Sequence, residues 1–109
     1  MNYSKKIKKG SLQNLIPNDI ILMKGNGNYS DILFKNGESL LVAKTLKTLE
    51  KELASVKFFY RSHKAFLVNL GHIVEIDEDK LRMTNNTAAL MSRRKKIGLI
   101  QSYNFFQKN

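Results

Sequence analysis

Three short groups of side chains in this sequence have the chemistry to bind a polar or anionic ligand. They are Asn28, Tyr29 and Ser30 in GNGNYSD, His63 and Lys64 in FFYRSHKAFLVNLGHI, and Arg93, Arg94, Lys95 and Lys96 in SRRKK. Amides, hydroxyls and imidazoles donate and accept hydrogen bonds. Guanidinium groups bind guanine edges or phosphates through paired N–H donors. This chemistry suits recognition of a nucleic acid.

No residue pattern favours catalysis or a bound metal. His63 and His72 stand nine positions apart, and the chain has no cysteine. A closed zinc site or a nucleophile beside a base therefore has no sequence signature here. The Gly-x-Gly of residues 25–27 lacks the Gly-Lys-Ser/Thr ending of a phosphate-binding loop. We expect a domain that is not an enzyme and needs neither a metal nor a cofactor.

The positive charge of the chain is concentrated in two places. Nineteen Lys and Arg oppose nine Asp and Glu, giving a formal net charge of +10. Four of the cations lie at residues 5–9 and four at residues 93–96, which leaves eleven against nine elsewhere. Such clustering favours a polyanionic partner over a uniformly cationic surface. For the first cluster a solvated chain terminus is an equally good interpretation.

The length of 109 residues suits one domain spanning positions 1–109, of which the basic segment 1–10 could be flexible. A hydrophobic fraction of 42% indicates a folded core. No run of about twenty apolar residues is present, and no apolar region follows the basic start, so we expect no membrane insertion. The absence of cysteine fits a reducing compartment, and a cytoplasmic location is expected.

The spacing of apolar residues predicts a mainly β domain. Strands are expected over residues 11–16, 19–25, 32–34, 39–43, 58–60, 65–69, 72–77, 81–84 and 88–92. Asn36-Gly37 between two apolar runs is a hairpin signal. GNGNYSD is predicted to be a connecting loop, because glycine and asparagine tolerate positive φ.

Two helices complete the prediction. Apolar residues recur at helical spacing at Leu46, Leu49, Leu53 and Val56, which predicts one amphipathic helix of about three turns with Thr45 as its N-cap. Residues 93–106 are expected to form a short C-terminal helix capped by Ser92. Gly98 weakens that helix by about 1 kcal/mol relative to alanine.

The cations of YRSHK raise a question of placement, because an unpaired buried charge is very costly. Arg61, His63 and Lys64 could lie at a strand end, where they meet water or pair with a carboxylate. Alternatively, His63 and Lys64 could project from a corner between strands toward a partner. The run at residues 93–96 could likewise be a solvated face, and GNGNYSD a purely structural turn. The residues alone leave these alternatives open.

Four segments in order, GNYSDILFKNG, KTLKTLEKEL, FFYRSHKAFLVNLGHIVEI and MSRRKK, resemble the LytTR DNA-binding domain of bacterial transcription regulators. The resemblance extends from about residue 12 to residue 99. Its most specific positions are Phe59, Arg61, His63, Lys64, Phe66, Val68, Asn69 and Ile73, followed by Ser92, Arg93 and Arg94.

The resemblance implies an elongated arrangement of small, mostly antiparallel β-sheets, with about eight to ten short strands, one amphipathic helix and a short C-terminal helix. It also implies sequence-specific binding of double-stranded DNA in transcription regulation, by loops inserted into successive major grooves. Carried over by position, Ser30, Lys64 and Arg94 would contact base edges. His63, Arg93, Lys95 and Lys96 would mainly contact phosphates, and Asn28 and Tyr29 would lie in the contacting loop.

Such domains are commonly the output half of a two-component response regulator, and no receiver domain is expected within these residues. Family behaviour suggests two copies on direct repeats about one helical turn apart. One departure from the family is Ala65, a position where serine is common. Alanine there removes a hydrogen bond to the DNA phosphate. The alternatives are a small basic RNA-binding or ribosome-associated β domain, and a module that docks on an anionic membrane or a protein through the N-terminal lysines.

Overall fold

The computed structural model describes residues 15–108, which form two antiparallel sheets and two α-helices. The elements are β1 (Ile20–Asn26), β2 (Tyr29–Phe34), β3 (Ser39–Val42), α1 (Leu46–Glu52), β4 (Phe59–His63), β5 (Phe66–Asn69), β6 (Ile73–Ile76), β7 (Lys80–Met83), β8 (Ala88–Leu90) and α2 (Arg93–Lys108). The mainly β prediction is confirmed. The expectations for segment 1–10 and for most of the strand at 11–16 fall outside the described residues.

The five-stranded sheet has the order β3-β2-β1-β5-β4, and the three-stranded sheet has the order β6-β7-β8. One hydrophobic cluster joins α1 to the first sheet through residues such as Phe34 and Leu49. A second joins that sheet to β7, β8 and α2 through residues such as Val68 and Leu99. The central strand β1 contributes to both clusters, because its first four residues are all buried. Both faces of the five-stranded sheet are therefore covered.

The predicted loop at residues 25–31 is instead a tight hairpin. Asn26 pairs with Tyr29, so only Gly27 and Asn28 form the turn. Gly27 has φ of 63°, the left-handed value that a two-residue hairpin turn commonly needs at its first position. Tyr29 and Ser30 therefore belong to β2. The hairpin predicted around Asn36-Gly37 is confirmed by the antiparallel pairing of β2 with β3.

The helices differ from the prediction in length. Thr45 is the N-cap of α1, as expected, and its hydroxyl accepts a hydrogen bond from the Thr48 N–H. The helix ends at Glu52, one turn earlier than predicted. Val56 therefore lies beyond the end of the helix, and it packs against the first cluster. Helix α2 has 16 residues and is not short. Its length follows from packing of Leu99, Tyr103 and Phe106 on the second cluster.

Candidate nucleic-acid interface

His63 and Lys64 lie where β4 turns into β5. His63 pairs with Phe66, so Lys64 and Ala65 form a two-residue turn. The Arg61 guanidinium donates to the carbonyl of His63 through Nε (3.1 Å) and to that of Lys64 through Nη2 (2.7 Å). Its third nitrogen, Nη1, forms an ion pair with Glu50 at 2.9 Å. Arg61 thus forms an ion pair within the fold, and its other two nitrogens bind the carbonyls of the β4–β5 turn.

The ring of His63 is also fixed by the turn. Its Nδ1 lies 3.0 Å from the Ala65 N–H and accepts a hydrogen bond from it. In the neutral ring the proton must then be on Nε2, which is left to donate. The ring meets Phe66 edge-on, with centroids 6.2 Å apart. His63 therefore presents one hydrogen-bond donor of defined direction.

The start of α2 is attached to β4 by the buried Ser62. Its hydroxyl donates to the Leu90 carbonyl at 2.8 Å, and its own carbonyl accepts from the Ser92 N–H, also at 2.8 Å. These bonds, the first of which joins residues 28 positions apart in sequence, bring residues 92–95 alongside the β4–β5 turn. Sequence reasoning missed Ser62. The available signal was a small polar residue at a strand position, between two side chains expected at the surface.

The structure thereby brings two of the three predicted groups together. A cleft of about 350 Å³, which we name the cationic cleft, is lined by Glu50, Arg61, His63, Lys64, Ser92, Arg94 and Lys95. Among residues 15–108, neither Lys64 nor Arg94 nor Lys95 forms an ion pair with a carboxylate. Their charges are therefore available to an anionic ligand.

The remaining cations of the run lie beside the cleft. Arg93 is exposed and does not line it. Lys96 points its ammonium group toward the β6–β7 turn, where it donates to the Glu78 carbonyl at 3.3 Å. Of residues 93–96, the structure therefore places Arg94 and Lys95 closest to His63 and Lys64.

The third predicted group lies at the same end of the five-stranded sheet. The Gly25 N–H donates to the Ala65 carbonyl at 2.9 Å, which holds the β1–β2 hairpin beside the β4–β5 turn. Asn28 is exposed at the hairpin tip, and the Tyr29 side chain is 48% exposed. Both side chains are accessible to a ligand that covers this end of the domain.

Ser30 requires a correction. Its side chain is fully buried, and its hydroxyl donates to the Lys44 carbonyl at 2.8 Å. Because side chains alternate along a strand, Ser30 faces inward while its neighbour Tyr29 faces outward. The expected contact of Ser30 with a base edge is therefore not available in this structure.

Lys24 is a further cation at this end of the sheet that sequence reasoning missed. Its Nζ lies 5.9 Å from the centre of the Phe66 ring, which His63 also contacts. Lys24 is exposed and pairs with Phe66 across β1 and β5. Within an apolar run of the sequence it had no distinguishing neighbour, and only strand pairing brings it near His63.

The other histidine has structural partners. The two ring nitrogens of His72 lie 2.9 Å from the Thr84 hydroxyl and 2.8 Å from the Asn18 carbonyl. Within residues 15–108, no three side chains of His, Cys, Asp or Glu come close enough together to bind a metal ion. In the same part of the chain, no helix has the length and apolar character to cross a membrane.

Comparison with known proteins identifies the family. The family model for the LytTr DNA-binding domain matches residues 11–103. A solved structure from Bacillus cereus, described as the LytTr DNA-binding domain of a methyl-accepting/DNA response regulator, superposes with a TM-score of 0.68 at 19% sequence identity. That match covers 78% of this chain and 81% of the other, and shows a shared fold. No protein of curated function matches. Since the family model spans most of its 109 residues, this chain belongs to the LytTr DNA-binding domain family.

Proposed function

We propose that this domain binds double-stranded DNA in a sequence-specific manner and so regulates transcription. Membership of a DNA-binding family supports DNA binding in general. The observation that carries the specific proposal is the cationic cleft, in which Lys64 and Arg94 converge from separate elements. Cations without carboxylate partners bind phosphates, while base edges are read by side chains held in fixed directions.

Within this proposal the β4–β5 turn and the first turn of α2 enter the DNA, and no helix lies along the groove as a recognition helix. Lys64 and Arg94 contact base edges in one major groove, and His63, Lys95, Arg93 and Lys96 mainly contact phosphates. The Gly27–Asn28 turn and Tyr29 reach the adjacent groove from the same end of the sheet. The support is positional, because the Gly25–Ala65 hydrogen bond ties the two hairpins together. Ser30 is excluded from these contacts by its burial.

We further propose that two copies bind direct repeats and that the domain is the output part of a two-component response regulator. The description of the Bacillus cereus protein as a response regulator supports this context for a domain of the same fold. A single cationic cleft contacts few base pairs, so two copies on repeated sites would supply the discrimination that one lacks.

Selection of bound fragments from a random duplex pool tests the proposal. A recurrent motif, repeated at a spacing of about one helical turn, is expected. A pool that remains random after several rounds would contradict sequence-specific binding.

Competition with single-stranded RNA at equal salt addresses the alternative ligand. Unpaired bases stack on exposed aromatic side chains, and at the hairpin tips of residues 15–108 Tyr29 alone is such a side chain. Duplex DNA is therefore expected to compete better.

A further inference from the structure

The hydrogen bonds of Arg61 are all directed into the protein. Nε and Nη2 each donate to a carbonyl of the β4–β5 turn, and Nη1 donates to Glu50 on α1. The Arg61 side chain is 20% exposed, and Glu50 is 49% exposed. Every nitrogen of the guanidinium thus has a partner, and its charge is balanced by a carboxylate. Lys64, Arg94 and Lys95 in the same cleft have no carboxylate partner within residues 15–108.

From these contacts we infer that Arg61 is a positioning residue for DNA recognition and that Glu50 orients it. The inference rests on the proposed function. Glu50 sets the plane of the guanidinium, and the guanidinium binds the carbonyls of His63 and Lys64. Those carbonyls define the backbone from which the two DNA-facing side chains project. Arg61 therefore acts on DNA through the turn and does not contact it.

The charge of Glu50 and its contact with Arg61 predict opposite effects of removing it on DNA binding. Its carboxylate lines a cleft proposed to bind a polyanion, where a negative charge should weaken binding. If Glu50 mattered only through its charge, its removal would strengthen binding to every DNA sequence. As the group that orients Arg61, its removal instead disorders the turn. Base contacts need a fixed geometry, whereas phosphate contacts tolerate variation, so discrimination between sequences is the quantity that should fall.

Two substitutions of Glu50 separate charge from orientation. Glu50→Gln and Glu50→Ala remove the same charge, but only glutamine keeps an acceptor for Arg61 Nη1. Both are good helix formers, so α1 tolerates them. We expect Glu50→Ala to weaken binding to the selected duplex about fivefold relative to Glu50→Gln, an amount typical of one lost hydrogen bond. Binding to a random duplex should be equal for the two variants.

The chain offers a matched control in a second Arg–Glu pair. Arg82 Nε contacts Glu75 at 3.1 Å on the three-stranded sheet, and neither residue lines the cationic cleft. Glu75→Gln and Glu75→Ala should bind the selected duplex equally. If Glu75→Ala produced the same loss as Glu50→Ala, the effect would be a general one of a lost ion pair and the inference would be wrong.

Arg61→Lys provides a readout that does not depend on DNA. Lysine keeps the charge but cannot bind two carbonyls and a carboxylate with one planar group. In the full chain, we expect the backbone amide NMR signals of residues 63–65 to shift and their hydrogen exchange to accelerate. Unchanged signals in Arg61→Lys would overturn the inference even if no operator were found. If the parent chain discriminates between sequences and Glu50→Ala discriminates as well as Glu50→Gln, the inference about Arg61 is wrong. The proposed function would then be unaffected.

Discussion

The hydroxyl of Tyr60 occupies the space that a side chain at position 98 would need. A Cβ built on Gly98 would lie 2.3 Å from Tyr60 Oη but 3.5 Å from Tyr60 Cζ. The same hydroxyl lies 3.5 Å from the Lys95 carbonyl, to which it donates. Gly98 therefore allows α2 to pack closely on β4. This contact explains why a residue that weakens helices stands within the longest helix of residues 15–108.

Gly98→Ala is accordingly expected to destabilise the domain, although alanine favours helices. The favourable propensity amounts to about 1 kcal/mol, whereas forcing extra atoms into a packed contact commonly costs about 1–3 kcal/mol. We expect a net loss of free energy of unfolding, measured by urea denaturation. Because α2 carries Arg94, DNA affinity should fall as well.

The double variant Tyr60→Phe/Gly98→Ala is the control for this interpretation. Removing the hydroxyl leaves the ring carbon at ordinary contact distance. We expect Gly98→Ala to cost much less stability in the Tyr60→Phe background than in the parent chain. Equal destabilisation by Gly98→Ala in both backgrounds would mean that the hydroxyl is not the cause.

Ser30→Ala should change stability and not base preference. The substitution leaves the Lys44 carbonyl without its buried donor, at a cost of about 1–3 kcal/mol. Selection from a random duplex pool should return the same motif as for the parent chain. Asn28→Ala is the matched comparison, because Asn28 is exposed at the tip of the same hairpin. It should leave stability unchanged and weaken DNA binding. A change of motif in Ser30→Ala would restore Ser30 to the list of base contacts.

The sequence was sufficient to predict the elements whose causes are local. The Asn36-Gly37 hairpin, the Thr45 N-cap and most of the short strands depend on neighbouring residues, and they agree with the structure. GNGNYSD was predicted wrongly as a loop, because glycine and asparagine signal a turn without giving its length. Pairing of Asn26 with Tyr29 fixes that length at two residues.

The arrangement of the cationic cleft depends on contacts between distant residues, which one sequence does not reveal. Lys64 and Arg94 were selected by family resemblance, but their convergence results from Ser62 binding Leu90 and Ser92. The sequence leaves open whether Arg61 meets water or pairs with a carboxylate, because its partner Glu50 lies eleven positions away on α1. Lys24 had no signal at all, since strand pairing alone brings it to Phe66.

Two substitutions of His63 should separate its two ring nitrogens. In His63→Asn, the amide oxygen can accept from the Ala65 N–H in place of Nδ1, but nothing replaces the outward donor Nε2. In His63→Gln, the amide nitrogen can replace that donor, and the bond to Ala65 is lost. We expect His63→Asn to weaken binding to all duplexes by about 1 kcal/mol, the contribution of one hydrogen bond. His63→Gln should mainly reduce discrimination between the selected and a random duplex. Equal effects of both variants on both duplexes would contradict this assignment.

The salt dependence of binding distinguishes phosphate contacts from base contacts. Five or six phosphate contacts predict a log–log slope of roughly −5 for the parent chain. Lys95→Ala should reduce the slope by about 1 and weaken binding to all duplexes alike. Lys64→Ala or Arg94→Ala should instead lose about 1–3 kcal/mol of discrimination at one base pair.

Lys57→Ala is the control for loss of charge. Lys57 is exposed and precedes β4, whereas His63 and Lys64 follow at the other end of that strand. Its removal should leave both slope and discrimination unchanged. If Lys57→Ala reduced the slope as much as Lys95→Ala, binding would follow net charge and the cationic cleft would not be the DNA-binding surface.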